Sequence, residues 1–452
     1  MSNPCVVCGA SSTKTCSICH VDYYCTKEHQ KQHWPTHKSS CLPYKVSIDP
    51  EVGQHLVAIR DVSQGQTVFN DQPLVLGPQL FLSWDKMCVS CFSKIQEEHL
   101  CSKCGFPVCG QACEESERHR PECLLFQINY IHPMADDVSL DSFYGLVTIL
   151  RCLYLSFDSL DKWMDITTNM QSEPSNEDQA AKELHDMREK VADFLEIHFS
   201  VSRFPVVNIY RACGILHLNS FELQTPDGFL IQGLYTLASK LEHSCIPNIH
   251  RSYQEDYNMI ARAAIPIKKG QHFTVTYADT MWPTPKRREY LYSTKYFWCK
   301  CPRCKDPTEL GTYLSGIKCL TCKSGWVISK DPLDEDADWH CEQCNSNVRK
   351  ETIVEMTSLL EDVVEDLEKK ENATIEDYKE ILKRHAPFLH PTHAQVLDVK
   401  HSLSQMYGNE EGYQMEQLDE DQVKHMVDLC SDVLRVANKL LPGSNCHNSI
   451  QS

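Results

Sequence analysis

The chain has 452 residues, of which 42% are hydrophobic, and its formal net charge is −18. A chain of this length can bury substantial cores in two or three domains. It carries 25 cysteines, and at this size it is not a small scaffold held together by disulfides. The net acidity disfavours broad binding to phosphate backbones, so we do not expect nucleic acids as partners.

The sequence begins MSNPCVVC, without the basic and apolar segments of a secretory signal. No apolar stretch approaches the roughly 20 residues that a membrane-spanning helix requires. We therefore expect an intracellular protein of the cytoplasm, the nucleus or both, with no membrane partner. Because thiols stay reduced there, closely spaced cysteine pairs are better explained by bound metal than by disulfides.

The first element is a cluster of eight soft or borderline ligands within 37 residues. Four such ligands make one tetrahedral zinc site, so the cluster predicts two zinc ions. Zinc with four protein ligands is structural, because it has no open position at which to activate water. The ligands are Cys5, Cys8, Cys16, Cys19, Cys25, His29, His37 and Cys41.

Strands are expected next, in the segment from Gly53 to Pro78, where apolar residues such as Leu56 and Ala58 alternate. A turn at Gln64-Gly65 interrupts them. A second cluster then repeats the eight-ligand arrangement with altered gaps and predicts two more zinc ions. Its ligands are Cys88, Cys91, Cys101, Cys104, Cys109, Cys113, His119 and Cys123.

The segment from about 139 to 200 has apolar residues at helical spacing, at Phe143, Val147, Leu150 and Leu153. From Glu351 onward the chain is acidic and again helical in pattern. Three further helical segments are expected near 377–389, 392–407 and 419–441, where proline and glycine separate them. Stacked helical hairpins resembling tetratricopeptide repeats would fit. We expect the acidic loop 331–338 to be a solvated tip of the ribbon. The alternative is a docking site for basic protein tails.

Three cysteines, Cys299, Cys301 and Cys304, lack a fourth ligand nearby, and Cys245 in EHSCIPN is the candidate. Two further pairs are spaced like a zinc ribbon, Cys319 with Cys322 and Cys341 with Cys344. The proposed ligands suffice for about six zinc ions. The remaining cysteines, Cys152, Cys213, Cys430 and Cys446, are expected to be small buried hydrophobic residues. Histidines outside the pattern, such as His33, His55 and His217, are expected to be ordinary surface or core residues.

The segment Cys5 to Cys41, with YCTKEHQKQHWPTHKSSC, resembles MYND zinc fingers, and so does its repeat from Cys88 to Cys123. His29 stands where that family usually has cysteine. The resemblance implies interleaved ligands, with one zinc on Cys5, Cys8, Cys25 and His29 and the other on Cys16, Cys19, His37 and Cys41. It also implies that such fingers bind short proline-containing peptides.

The rest of the chain resembles the split SET domain of the SET and MYND domain (SMYD) lysine methyltransferases, most closely the arthropod type. The segments that carry the resemblance are GQHLVAIRDVSQGQTVFNDQPLVLGP, HLNSFEL, GLYTLASKLEHSCIPN, AIPIKKGQHFTVTY and KYFWCKCPRC. The implied fold is α+β, a β-rich SET domain split by a finger and a helical insert. The implied divisions are 1–43 (finger), 44–87 (SET), 88–123 (second finger), 124–205 (helical insert), 206–280 (SET core), 281–310 (post-SET zinc segment), 311–350 (ribbon) and 351–452 (helical domain).

The resemblance further implies S-adenosylmethionine as cofactor and a protein lysine as substrate. Methyl transfer to an amine needs a deprotonated lysine held in line and shielded from water, which a narrow aromatic channel provides. Tyr277 is the implied catalytic hydroxyl of that channel. The implied cofactor-pocket and channel residues are Asn219, Ser220, Phe221, Ser239, Glu242, His243, Tyr277 and Phe297.

Three positions depart from the family pattern. The glycine-rich segment is Gly53-Gln54-His55, so a side chain stands where the backbone should approach the cofactor. Glu242 replaces the usual asparagine, and it would repel the cofactor's carboxylate or accept from its ammonium. Lys295 stands where a channel tyrosine is usual, and it would plug the channel or extend to solvent.

Two functions remain open from the sequence. The first is a lysine methyltransferase acting on non-histone or histone proteins. The second is a non-catalytic zinc-finger adaptor that binds proline-containing peptides. In either case we expect a monomer.

Overall fold

The computed structural model describes residues 3–16, 22–50, 52–79, 87–97, 99–133, 140–174, 179–199, 204–370 and 373–443. Two cysteines with sequence-based assignments, Cys19 and Cys446, lie outside them. The architecture mixes helices with small antiparallel sheets, which confirms the α+β class. Among the described residues no single helix is long and apolar enough to cross a bilayer, although one bent helix pair, 143–158 with 160–169, passes by length and composition.

The first finger is a small unit with its own apolar centre. Cys16, Tyr24 and Cys41 form that centre, and Val7 and Trp34 pack against it. The helix is started by Thr26, whose side chain accepts a hydrogen bond from the His29 amide. The elements are β1 (Asn3–Pro4), β2 (Ser11–Ser12) and α1 (Lys27–Cys41).

The strands expected between Gly53 and Pro78 are present. Gly53 has φ +72° and follows the hairpin turn, a conformation that side-chain-bearing residues rarely adopt. Gly65, at φ +77°, forms the turn that the sequence indicates. The strands are β3 (Tyr44–Asp49), β4 (Gly53–Ala58), β5 (Thr67–Asp71) and β6 (Pro73–Pro78), and β3 pairs with β4.

The second finger is built into the main core. Its Cys88, Cys101, Cys104 and Cys123 belong to the same buried cluster as the SET strands, together with Phe106. This differs from the first finger, whose centre is separate. The elements are β7 (His99–Leu100), β8 (Pro107–Val108), α2 (Gln111–Glu114) and α3 (Arg120–Ile128).

Helices follow where the periodicity predicts them. Phe143, Val147, Leu150 and Leu153 are all buried on the first of them, which packs against β6. Gly77 permits that contact, because a Cβ there would collide with Thr148. The helices are α4 (Leu140–Asp158), α5 (Leu160–Asn169), α6 (Gln179–His198) and α7 (Val206–Asn219).

The remaining SET strands form small sheets between residues 221 and 275. A three-stranded sheet has the order β6-β10-β9, and another has the order β12-β13-β5. β11 and β14 pair in parallel, with Glu242 opposite Thr274 and His243 opposite Val275. The strands are β9 (Phe221–Gln224), β10 (Leu230–Tyr235), β11 (Glu242–His243), β12 (Ile249–Tyr253), β13 (Met259–Ala263) and β14 (Thr274–Val275).

The last third contains the post-SET segment, a four-stranded ribbon and the C-terminal helices. The ribbon and those helices share one apolar core, so they pack as a unit. Capping boxes at Thr374 and Asp419 start the fourth and sixth of the helices below. The helices are α8 (Thr284–Lys295), α9 (Pro302–Lys305), α10 (Lys350–Glu368), α11 (Ile375–His385), α12 (Ala394–Met406) and α13 (Glu420–Leu440). The ribbon strands are β15 (Ile317–Lys318), β16 (Trp326–Ser329), β17 (Trp339–Cys341) and β18 (Asn347–Val348).

Four helices thus occupy the C-terminal segments where the apolar spacing predicts them. Of the cysteines expected to be buried, Cys152 and Cys213 are fully buried. Cys430 is only partly buried, because it lies near the edge of α13's packed face. The tip of the ribbon is held by Arg288, which donates to the carbonyl of Pro332 at 3.1 Å, and by Lys350, which pairs with Asp336 at 2.8 Å.

A buried ion pair ties the second finger to α4. Arg151 Nε donates to Glu122 Oε2 at 2.7 Å, and Glu122 Oε1 lies 2.8 Å from His119 Nδ1. Arg151 also donates to the carbonyls of Leu76 and Val89 at 2.6 and 3.0 Å. One side chain therefore joins α4, β6 and the finger.

Replacing Arg151 by alanine should lower the free energy of unfolding of the zinc-loaded protein by about 3 kcal/mol or more, because Glu122 then stays buried without its partner. Urea denaturation followed by tryptophan fluorescence measures this. Arg120→Ala is the control, since Arg120 and its partner Glu117 are both exposed, and it should change stability by less than about 0.5 kcal/mol. Equal losses in the two variants would contradict this role of Arg151.

Candidate functional site

The structure brings the paired cysteines and histidines together in groups of four. In each group the ligand atoms lie within 4.8 Å of one another, a spacing that suits one tetrahedral zinc ion. The grouping within the first finger is the interleaved one that the resemblance implies, and the second finger repeats it. The groups are Cys5, Cys8, Cys25 and His29; Cys88, Cys91, Cys109 and Cys113; Cys101, Cys104, His119 and Cys123; Cys245, Cys299, Cys301 and Cys304; and Cys319, Cys322, Cys341 and Cys344.

The second site of the first finger is described except for Cys19. The sulfurs of Cys16 and Cys41 are 3.5 Å apart. His37 is buried, and its Nδ1 lies 2.7 Å from Asp22 Oδ2. A carboxylate on one ring nitrogen leaves Nε2 for the metal, which is the usual arrangement around zinc-bound histidine.

His29 takes the place of the cysteine usual in such fingers. Its Nδ1 lies 3.1 Å from the sulfur of Cys25 and 3.6 Å from that of Cys5. The imidazole nitrogen therefore converges with the thiols, as a ligand must. The exchange of cysteine for histidine also leaves this zinc site one unit less negative.

The post-SET site joins distant parts of the chain. The sulfur of Cys245 lies 3.9 Å from that of Cys299 and 3.6 Å from that of Cys304. Arg287 Nε donates to the Cys245 sulfur at 3.3 Å, and Arg287 Nη1 pairs with Glu309 at 2.8 Å. The buried guanidinium offsets the negative charge that four thiolates place around one zinc ion.

His243 connects this candidate zinc site to Tyr277, which lies two residues beyond β14. Its Nδ1 accepts a hydrogen bond from the Tyr277 amide at 3.0 Å, and its Nε2 lies 3.3 Å from the sulfur of Cys245. Both ring nitrogens are therefore engaged within the protein. A role for His243 against the cofactor stays a prediction, and only its ring face or backbone is left for it.

Tyr277 and Phe297 flank His243. The ring centroids of Tyr277 and Phe297 lie 5.2 and 5.7 Å from that of His243. The Tyr277 hydroxyl donates to the carbonyl of Leu241. Burial, followed by the negative charge of Glu242, raises the pKa of Tyr277, so its hydroxyl stays protonated at neutral pH.

The other residues assigned to the cofactor pocket have structural partners. Asn219 ends α7 and donates to the carbonyls of Gln171 and Ile215, both at 2.8 Å. Ser239 donates to the carbonyl of Thr236 at 3.3 Å. Phe221 is buried beneath the guanidinium of Arg251, which lies 5.2 Å from its ring centroid. Their contacts with a cofactor stay predictions.

Two of the positions that depart from the family pattern meet in space. Glu242 Oε1 lies 2.6 Å from His272 Nδ1 and 3.8 Å from His55 Nδ1. The rings of His55 and His272 lie 4.4 Å apart. His55 is buried, as expected of an ordinary core histidine, and it also belongs to this group. Sequence reasoning missed His272, which is 30 residues beyond Glu242 and carries no ligand spacing.

Lys295 does not extend to solvent, so that alternative is wrong. Its Nζ donates to the carbonyls of His217 and Leu218 at 2.9 and 3.1 Å and so caps the C-terminus of α7. Burial lowers the pKa of Lys295 to about 8. The lysine secures α8 to α7, directly beside Asn219.

Replacing His29 by alanine should remove one zinc ion per chain, because three thiols remain at that site. Zinc released by denaturation and measured with a chromogenic chelator gives the count. His33→Ala is the matched control on the same helix, since the ring of His33 bonds to the Tyr24 hydroxyl at 3.0 Å and His33 is not among the predicted zinc ligands. Unchanged zinc content in His29→Ala would exclude His29 as a ligand.

Comparison with known proteins follows the same division of the chain. A family model described as MYND finger matches residues 5–41. The SET domain-containing protein SmydA-8, isoform B, of Drosophila melanogaster is 31% identical over 320 residues, which is 67% of this chain and 67% of the relative. Histone-lysine N-methyltransferase ASHR1 of Arabidopsis thaliana is 25% identical over 80% of this chain and 77% of the relative.

More distant similarities extend this set. Human histone-lysine N-methyltransferase SMYD3 is 23% identical over 58% of this chain and 62% of the relative. Among solved structures, the SET domain of LSMT bound to methyl-lysine and AdoHcy covers 92% of this chain and 97% of its own, at 13% identity and a TM-score of 0.35. The MYND finger and the identity to SmydA-8 together establish that the chain belongs to the family of SET and MYND domain proteins, which includes lysine methyltransferases.

Proposed function

We propose that the protein is an S-adenosylmethionine-dependent protein-lysine N-methyltransferase. One observation carries the proposal most directly. Tyr277, Leu241 and His243 form a hydrogen-bonded group fastened to the Cys245 zinc site. Such a group presents a hydroxyl oxygen and a backbone carbonyl from fixed positions, which is what a lysine channel requires.

Some residues of the pocket fit the amino-acid end of the cofactor. Glu242 Oε1 and Ser220 Oγ are buried and have no hydrogen-bond partner among the described residues. A buried carboxylate oxygen and a buried hydroxyl without hydrogen-bond partners are suited to accept hydrogen bonds from an ammonium group. In this proposal Glu242 holds the cofactor's ammonium, while Asn219, Phe221, Ser239 and His243 shape the rest of the pocket.

S-adenosylmethionine supplies an electrophilic methyl group on a sulfonium when it is bound. The chain supplies the surroundings in which a lysine amine can attack that group. Tyr277 stays protonated, and its hydroxyl donates a hydrogen bond to the Leu241 carbonyl. The lone pairs of the hydroxyl oxygen therefore remain to face positive charge. The rings of Tyr277 and Phe297 exclude water, and an apolar channel favours the neutral form of a substrate lysine.

The substrate is proposed to be a protein, and the first finger a separate binding unit for it or for other partners. That finger has its own small core, so a peptide can bind there without disturbing the SET body. We propose proline-containing peptides as its ligands and a monomer as the functional unit. The second finger, which is built into the SET core, is structural.

A non-catalytic adaptor is the second candidate, and one observation favours it. His55, Glu242 and His272 contact each other at the position where the family keeps a glycine and an asparagine. Side chains that occupy that space compete with a cofactor. In this alternative the zinc fingers bind peptides and the SET domain is a scaffold.

Calorimetric titration of the zinc-loaded protein with S-adenosylmethionine separates the two candidates. The methyltransferase should release or absorb heat in a saturable manner with one cofactor per chain. No binding at millimolar cofactor would exclude the enzyme and leave the adaptor.

Tyr277→Phe should lower the rate of methyl transfer by about 100-fold or more, because an electrostatic group positioned at the reacting atoms is lost. Transfer of a labelled methyl group to a panel of basic peptides measures the rate. Tyr313→Phe is the control, since the hydroxyl of Tyr313 bonds to Glu342 on the ribbon at 3.0 Å. Melting temperature and zinc content should stay unchanged in both variants, and undiminished transfer by Tyr277→Phe would refute its role.

A further inference from the structure

Three side chains outside the zinc groups converge at the edge of the SET strands. His55 comes from β4, Glu242 from β11, and His272 from the segment before β14. Neighbouring backbone brings them together, because Val57 pairs with His272 across the two segments. Two histidines and one carboxylate are a ligand set that binds divalent first-row metal ions.

Glu242 lies within ligand-group distance of both histidines. The ligand atoms of the zinc groups all lie within 4.8 Å of one another, and Glu242 Oε1 stands 2.6 Å from His272 Nδ1 and 3.8 Å from His55 Nδ1. Nitrogen and oxygen ligands at about 2.0 to 2.2 Å from one ion stand about 3 Å or more apart, so Glu242 and His272 separate slightly when an ion binds.

The hydrogen bonding of Glu242 favours a role as a metal ligand over a role in an ion pair with well-formed hydrogen bonds. Its Oε1 is buried, and no group in the described part of the chain, His272 included, meets it with hydrogen-bonding geometry. His55 is buried, whereas the side chain of His272 is 43% exposed. The group is therefore closed on the side of His55 and open to solvent on the side of His272, where an ion can enter.

His55 has one competing contact. Its Nδ1 lies 3.1 Å from the carbonyl of Gly53, which accepts from that nitrogen when it carries the proton. Binding of an ion at Nδ1 places the proton on Nε2, the other neutral form of the ring. This exchange costs one hydrogen bond, so the group should bind metal more weakly than the four-cysteine sites.

We infer that His55, Glu242 and His272 form a binding site for one divalent first-row transition-metal ion, in addition to the structural zinc sites. Resting on the proposed function, this ion occupies the side of the pocket where Glu242 would hold the cofactor's ammonium. Metal and S-adenosylmethionine then exclude each other, and metal availability regulates cofactor binding.

Titration of the full zinc-loaded chain with Co²⁺, followed by visible absorption, tests the site. We expect one saturable ion per chain with weak d–d bands and without the thiolate-to-cobalt band that would mark exchange into a cysteine site. His272→Ala should weaken binding at least tenfold, and because His272 is exposed the variant should fold. His185→Ala is the matched control, since His185 pairs with Glu189 at 3.2 Å on an exposed helix face without a third ligand, and it should bind Co²⁺ as the parent does.

Absence of a saturable ion, a thiolate band alone, or equal affinity in His272→Ala and the parent would each overturn the site. Competition is measured separately, by repeating the cofactor titration with Co²⁺ present. If the cofactor binds and Co²⁺ leaves its apparent Kd unchanged, the regulatory part is refuted. If the cofactor does not bind at all, the proposed enzymatic function fails, while the Co²⁺ spectra still decide the metal site.

Discussion

Cys245 joins the SET strands to the post-SET segment, and the candidate channel depends on this single bond to zinc. The other three ligands follow 54 to 59 residues later in the chain. On one side of Cys245, His243 links the candidate zinc site to the Tyr277 amide, just beyond β14. On the other side, the buried guanidinium of Arg287 offsets the negative charge of the thiolates and is itself paired with Glu309. A zinc ion with these four ligands would perform no chemistry, yet in this account it fixes the position of the tyrosine that the proposed chemistry needs.

The two fingers share a ligand pattern but differ in what surrounds them. Each has a predicted zinc-ligand histidine backed by a carboxylate: Asp22 for His37 and Glu122 for His119. Glu122 is in turn held by Arg151, which reaches into the SET core, whereas the first finger has a separate apolar centre. The repeated unit is thus a structural part of the SET body in one copy and a separate unit in the other.

The zinc ligands could be predicted from the sequence because their signal is local. Cysteine pairs with two residues between them lie on tight turns, and this spacing alone indicates that their thiols are brought together. Helices such as α4 and α13 were predictable for the same reason, since an apolar stripe has a fixed period. Cys245 came instead from ligand counting, because Cys299, Cys301 and Cys304 needed a fourth ligand that no local spacing identified.

Contacts between distant segments could not be predicted in this way. The pairing of Glu242 with His272 depends on the parallel alignment of β11 with β14, which adjoins β4 only after folding. The hydrogen bond of Lys295 to the end of α7 depends on where α8 ends relative to α7. Whether the protein catalyses methyl transfer depends on these tertiary contacts, because they determine which side chains fill the proposed cofactor pocket.

Hydrogen–deuterium exchange with and without the post-SET zinc tests the central claim that this ion holds the channel together. Cys301→Ser removes one partly exposed ligand of that site. The account predicts that segments 241–246 and 274–278 lose protection together with segment 297–305 in this variant. Loss of protection confined to 297–305, with both other segments as protected as in the parent protein, would contradict it.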